Sequence, residues 1–176
     1  MIDDWAAEIV KGVLIQQRIE EVDSEGLWER HLPAVAASED ELEATERSLG
    51  YALDPRYRSF LRYANGWRCF YQHVDLFGTP SLLGAPPMSD VVTMLDAVDD
   101  DDFVAALEMH RNDVTPIAAS DSQPDMFLIG QPWSKSPGTV FWYTGQLIDR
   151  FPGFDEFFLG MLDYNRAELR DLEAQE

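Results

Sequence analysis

The side chains able to do chemistry are few and scattered. The three histidines, His31, His73 and His110, stand far apart in the chain. No H-E-x-x-H and no paired Cys/His spacing is present, so neither a metal nor a cofactor is expected. His73 and Asp75 fall two residues apart, on one face of any strand through them, where a carboxylate could orient an imidazole. Without a nucleophile or a metal beside them they read as a surface ion pair or a core-edge contact. Cys69 follows Arg68, a neighbour that lowers a thiol pKa, yet a single cysteine in apolar company reads as a small buried hydrophobe. It also rules out an internal disulfide and fits a reducing cytoplasm. Gly-x-Ser-x-Gly and glycine-rich phosphate loops are absent, and Ser134-Lys135-Ser136 is too short for a Ser-x-x-Lys dyad. No catalytic residue is assigned, and the chain is expected not to be an enzyme.

Charge speaks more clearly than any motif. Against 13 basic residues stand 33 acidic ones, a formal net charge of −20. Such a surface repels nucleic-acid phosphates and anionic lipids and attracts cationic proteins. The densest acid is Asp99-Asp100-Asp101-Asp102, with Asp96 just before it. Calcium would need alternating ligands and a glycine that this run lacks. A helix N-terminus on a solvated acidic face is the simpler account. The basic residues other than Lys11 and Lys135 are all arginine, a bias typical of GC-rich bacterial genomes.

Several amphipathic elements are available to hold these groups. Trp5, Ile9, Val13 and Gln16 recur at helical spacing within 2–20, beside Ala6, Val10 and Leu14, with Gly12 a costly interruption. Trp28 and Leu32 read as apolar anchors after a loop. Ser38 and Glu41 make a capping box for a second helix, in which Leu42, Thr45 and Leu49 share a face and Gly50 fits the left-handed end. Asp54 and Pro55 start a third, with Tyr57, Phe60, Leu61 and Ala64 on one side and Asn65-Gly66 as its stop. Val74–Phe77 reads as a short strand, residues 78–87 as a loop, and residues 89–98 as either helix or extended chain. Phe103, Val104, Leu107 and Met109 predict a helix behind the acidic run. Strands are predicted over Ile117–Ala119, Met126–Ile129, Val140–Tyr143 and Gln146–Phe151, the last two as a hairpin around Thr144-Gly145. Phe154, Phe157, Phe158, Met161, Leu162 and Leu169 trace a closing helix. The expected class is therefore α+β: an antiparallel sheet packed by N-terminal helices and a C-terminal helix, in one domain spanning 1–176. The start lacks a basic leader, and no apolar run reaches membrane-spanning length.

The run Leu49-Gly50-Tyr51-Ala52-Leu53-Asp54-Pro55-Arg56-Tyr57-Arg58-Ser59-Phe60-Leu61-Arg62-Tyr63-Ala64-Asn65-Gly66 resembles the signature of the SUKH (SMI1/KNR4-like) superfamily. Val74-Asp75-Leu76-Phe77-Gly78, Pro116-Ile117-Ala118 with Asp121 after it, Val140-Phe141-Trp142-Tyr143 and Phe154-Asp155-Glu156-Phe157-Phe158 follow in family order. The resemblance spans 32–165, with 1–30 as an N-terminal extension. It departs from the pattern at the displaced Leu53-Asp54-Pro55 step and in the long acidic stretch 84–113. It implies a cytoplasmic immunity protein or antitoxin that blocks the active site of a cognate protein toxin as a 1:1 heterodimer. The toxin would present a cationic active-site face and be an NAD-glycohydrolase, after one antitoxin subgroup, or a nuclease. The alternative is a regulatory or scaffold protein-binding domain of the SMI1/KNR4 type. No nucleic acid or membrane partner is expected.

Two modes of toxin contact are expected. In one, Asp96, Asp99, Asp100, Asp101 and Asp102 take the places of substrate phosphates. In the other, the N-terminal segment inserts into the toxin's cleft with Lys11 and Gly12. Trp67, Phe70 and Tyr71 read either as aromatic anchors for a partner or as core.

Overall fold

In a computed structural model of the chain, residues 2–27, 29–120 and 122–174 are described. Trp28 and Asp121, singled out above, lie outside them.

Helix α1, Trp5–Val22, begins where the Asp4 carboxylate accepts from the Ala7 N–H. Its buried stripe is Trp5, Ile9, Gly12, Gln16, Ile19 and Val22, whereas Val10 and Leu14 face solvent. The apolar face is thus narrower than the composition suggests. Helix α2, Glu39–Leu49, carries the full Ser38/Glu41 capping box and ends at Gly50 with φ of 80°. Helix α3, Pro55–Leu61, is capped by Asp54, which accepts from the N–H groups of Arg56 and Tyr57. The two are tied on their outer side. Arg58 pairs with Glu39 and, at 3.2 Å, with Glu46, while Arg62 reaches Glu39 at 2.9 Å. The Arg58 hydrogen bond, helped by Arg62, holds the Glu39 carboxyl below its ordinary range.

Asn65-Gly66 does more than stop α3. The Asn65 amide exchanges two hydrogen bonds with Thr79, donating to its hydroxyl at 2.8 Å and accepting from its N–H at 2.7 Å. A Cβ on Gly66, whose φ is 96°, would lie 2.7 Å from the Gly78 nitrogen. Only glycine allows that approach of two backbones.

Six strands follow: β1 Trp67–Tyr71, β2 Val74–Leu76, β3 Val114–Ser120, β4 Met126–Gly130, β5 Val140–Tyr143 and β6 Leu147–Phe151. They form one antiparallel meander in chain order. Between β2 and β3 lie a helical turn α4, Thr79–Leu82, then α5, Met88–Asp96, α6, Asp100–Leu107, and a 3-10 turn at Arg111–Asp113. Residues 89–98 are thus helical for the most part, and α4 replaces part of the expected loop. Helix α7, Phe154–Glu173, closes the chain.

The sheet is covered on both faces, which explains why all of β4 is buried. Successive side chains point to opposite sides. Phe127 and its partner Trp142 meet Phe157 and Tyr164 of α7. Tyr143, one residue on, meets Phe103 of α6 edge-on at 5.4 Å. On the α7 side, Trp5, Phe60, Phe70, Phe154 and Phe158 form a continuous aromatic cluster with centroids 5.1–5.8 Å apart. Burying this much aromatic surface is the main stabilising contribution of that layer.

Strand β1 is irregular. Cys69 has φ of 48° and the β1–β2 register shifts beside it, so the ladder does not satisfy the local carbonyls in the regular way. Two buried amides do so instead. Gln16 Nε2 donates to the carbonyls of Cys69 at 2.8 Å and Phe70 at 2.9 Å, and Asn165 Nδ2 donates to that of Phe70 at 3.0 Å. Asp75 accepts from the Cys69 N–H at 2.8 Å. The bulge is therefore gripped by α1, α7 and β2 together.

Candidate functional site

The acidic run sits at the start of α6, on the helical layer opposite α1 and α7. Asp99 is the N-cap, accepting from the Asp101 N–H at 2.9 Å. Asp100, Asp101 and Asp102 occupy the first turn, where the helix pole is positive. All five aspartates proposed from sequence are exposed, and they share one region of surface. Their charge is only partly open. Arg111 projects between α5 and α6, donating to the carbonyls of Leu95 and Val98, with its guanidinium 5.9 Å from the centre of the Phe103 ring. Its Nε lies 2.8 Å from Asp100, and another nitrogen 3.9 Å from Asp96. Asp101 and Asp102 point to solvent, and Asp102 adds to the burial that raises the Tyr143 phenol pKa. Asp96, Asp100 and Asp101, with His110, Arg111 and Val104, outline an open recess of about 570 Å³. Carboxylates held on a fixed scaffold can accept charge-assisted hydrogen bonds from arginine or lysine of another protein. Sequence reasoning missed Arg111, because its distance from the run hides that the two meet.

The other predicted contacts divide. Lys11 is exposed and paired with Glu8 at 2.7 Å. Gly12, one residue on, is buried: a Cβ there would lie 2.9 Å from the tip of the Trp67 ring and 3.0 Å from Leu162. Its missing side chain makes room for Trp67, not for a partner. Trp67 is itself 2% exposed, and its indole N–H donates to the His31 carbonyl at 2.8 Å. Phe70 is fully buried. Gly12, Trp67 and Phe70 therefore offer no surface, and the expectation for them is corrected to core packing. Tyr71 is half-buried in a ring cluster with Trp142 and Tyr164. Leu32, expected to anchor, is 66% exposed.

Two grooves were not anticipated. One, of about 260 Å³, is walled by Tyr51, Pro55, Pro132 and Pro137 over a floor of Ile117 and Ile129. Tyr51 shares a hydrogen bond with Thr115 at 2.8 Å and meets Trp133 edge-on. It suits a small apolar group. The other, about 570 Å³, runs along the Asn65-Gly66/Gly78 closure and reaches His31, Arg68, Asp75 and Asp90. Near it the fold brings Cys69 to Glu29 and His31, far from it in sequence, with one ligand atom of each within 4.8 Å of the others. The Glu29 carboxyl lies below its ordinary pKa range, chiefly through its hydrogen bond from His31 and then through Arg68. Among the described residues, no helix is long and apolar enough to cross a membrane.

Residues 36–160 match the family model described as SMI1 / KNR4 family (SUKH-1). No curated protein matches the chain.

Proposed function

The chain belongs to the SMI1/KNR4 family (SUKH-1), and on that premise we propose that it is an immunity protein, an antitoxin that binds a cognate toxin one to one and occludes its active site. The observation that carries this reading is the cluster of exposed carboxylates on α5 and α6 in a chain of net charge −20. A toxin that acts on NAD or on nucleic acid must itself hold phosphates, and so presents a cationic cleft. Asp101 and Asp102 project toward such a cleft with the sign and hydrogen-bonding capacity of the substrate, while Asp99 and Asp100 keep the turn in shape. The overall field adds steering, which raises association rates about tenfold or more. The protein acts by binding, without chemistry of its own, in the cytoplasm of the cell that makes the toxin.

Packing favours this surface over the N-terminal segment as the inhibitory element. A segment that inserts into a cleft must be separable from its own domain. Helix α1 instead buries Trp5 and Ile9 in the main core and supplies Gln16 to the β1 bulge. Lys11 remains available at its outer surface as a peripheral contact.

The test uses the cognate toxin, identified by affinity capture from the native host, and stopped-flow association at low and physiological salt. Asp96, Asp101 and Asp102 are changed together to Asn, sparing the Asp99 cap and the Asp100–Arg111 pair. The association rate is expected to fall about tenfold at low salt, and the salt dependence to flatten, because screening within about 8–10 Å already removes most long-range attraction. An unchanged rate and salt slope would exclude the acidic face as the docking surface.

A further inference from the structure

We propose that Glu29, His31 and Cys69 form a binding site for a divalent transition metal of the zinc class. The donors are a carboxylate, an imidazole and a thiol, the set that borderline-soft zinc accepts and that magnesium or calcium does not. One ligand atom of each already lies within 4.8 Å of the other two. Tetrahedral zinc with bonds of about 2.0–2.3 Å places its donors about 3.5 Å apart, so closure needs shifts of about an ångström. Three protein ligands leave a fourth position for water or for a group from a partner.

The backbone under the ligands is fastened. The His31 carbonyl accepts from the Trp67 indole at 2.8 Å. The Cys69 N–H is held by Asp75 and its carbonyl by Gln16, both at 2.8 Å. These bonds fix the backbone at two of the three ligand positions and so limit rearrangement of the site. His31 Nε2 and Glu29 Oε2 are 3.0 Å apart, a side-chain contact that a metal between them would replace. The obstacle is Arg68, whose guanidinium lies 3.7 Å from the Glu29 carboxylate. Its side chain is 63% exposed, so it can turn to solvent at little cost. Bound metal would staple the 29–31 segment onto the β1 bulge.

Cobalt(II) is the probe, added to the full chain under reducing conditions, with zinc as competitor. The expected result is one equivalent bound, a near-ultraviolet thiolate-to-cobalt charge-transfer band, and displacement of that band by zinc. Cys69→Ala is expected to abolish the band. Glu29→Gln and His31→Ala, at accessible positions, are expected to weaken affinity by about tenfold or more with unchanged far-ultraviolet circular dichroism. Arg68→Ala is expected to tighten it. These two accessible variants decide the matter if Cys69→Ala does not fold. Absence of the charge-transfer band, its survival in folded Cys69→Ala, or an affinity indifferent to both accessible variants overturns the assignment.

Discussion

Replacing Gln16 by methionine tests whether α1 is integral to the sheet layer. Methionine keeps the length and shape of the side chain, so cavity formation contributes little. What is lost is the pair of hydrogen bonds from Nε2 to the carbonyls of Cys69 and Phe70. At about 0.5–1.5 kcal/mol each they are together worth about 1–3 kcal/mol. Phe70 keeps its bond from Asn165, so its carbonyl is not stranded. The Oε1 atom of Gln16 is buried without a hydrogen-bond partner, and removing it returns part of the loss. The balance is a destabilisation of about 1–2 kcal/mol, seen as a melting temperature lower by about 2–8 °C for a chain of this size. Asn165→Leu should cost less, since Gln16 still serves Phe70. The double variant should cost more than the sum, because only then does the Phe70 carbonyl lose both donors. Chemical denaturation of the four proteins gives the coupling energy. A Gln16→Met protein within 0.3 kcal/mol of the parent, or strict additivity to about that margin, would refute the bracing role of the two amides.

Two further outcomes follow from the packing. Glu39 is held below its ordinary pKa of 4.5 by Arg58 first and then Arg62. A depressed folded pKa stabilises above the unfolded value and ceases to do so as pH falls through the folded one. Glu39→Gln should therefore narrow the stability difference between pH 7 and acid below 4.5, measured by urea unfolding across that window. Gly12→Val should lower stability by about 1–3 kcal/mol, because the rigid Trp67 ring stands 2.9 Å from the new Cβ; a variant as stable as the parent would show that α1 can slide.

Much of the architecture is legible in the sequence because its signals are local. The Ser38/Glu41 box, the Asp54-Pro55 start and the aromatic period from Phe154 each describe one element, and each stands where expected. Membership of the family follows from their order. Strand β1 is hard to read because Cys69 takes a left-handed conformation, so its burial departs from simple alternation and the apolar run, which reads more readily as core, still admits a surface reading. Helix α5 was ambiguous because Met88, Val91 and Leu95 pack on the sheet through a face too short to distinguish from extended chain. Gly12 and Trp67 fill each other's space, a tertiary fit that neither residue type signals in the sequence. The acid cluster was visible, but Arg111, which fixes two of its members, is set by tertiary contact alone. Cys69 meets the Glu29/His31 pair for the same reason, since nothing in the local sequence links it to them.

Helices α1 and α7 lie side by side and point the same way. Ile2 meets Asp155, Trp5 meets Phe158, Gly12 faces Leu162 and Arg18 reaches Glu173. On the ribosome α1 emerges first, yet the groove that receives it does not exist until β1 through β6 and then α7 have been translated. Its greasy stripe must stay solvated, or be chaperoned, for most of synthesis. Assembly of this seam is a late, long-range event, so defects at either helix should show first as poor yield of nascent protein and only second as a weaker finished fold.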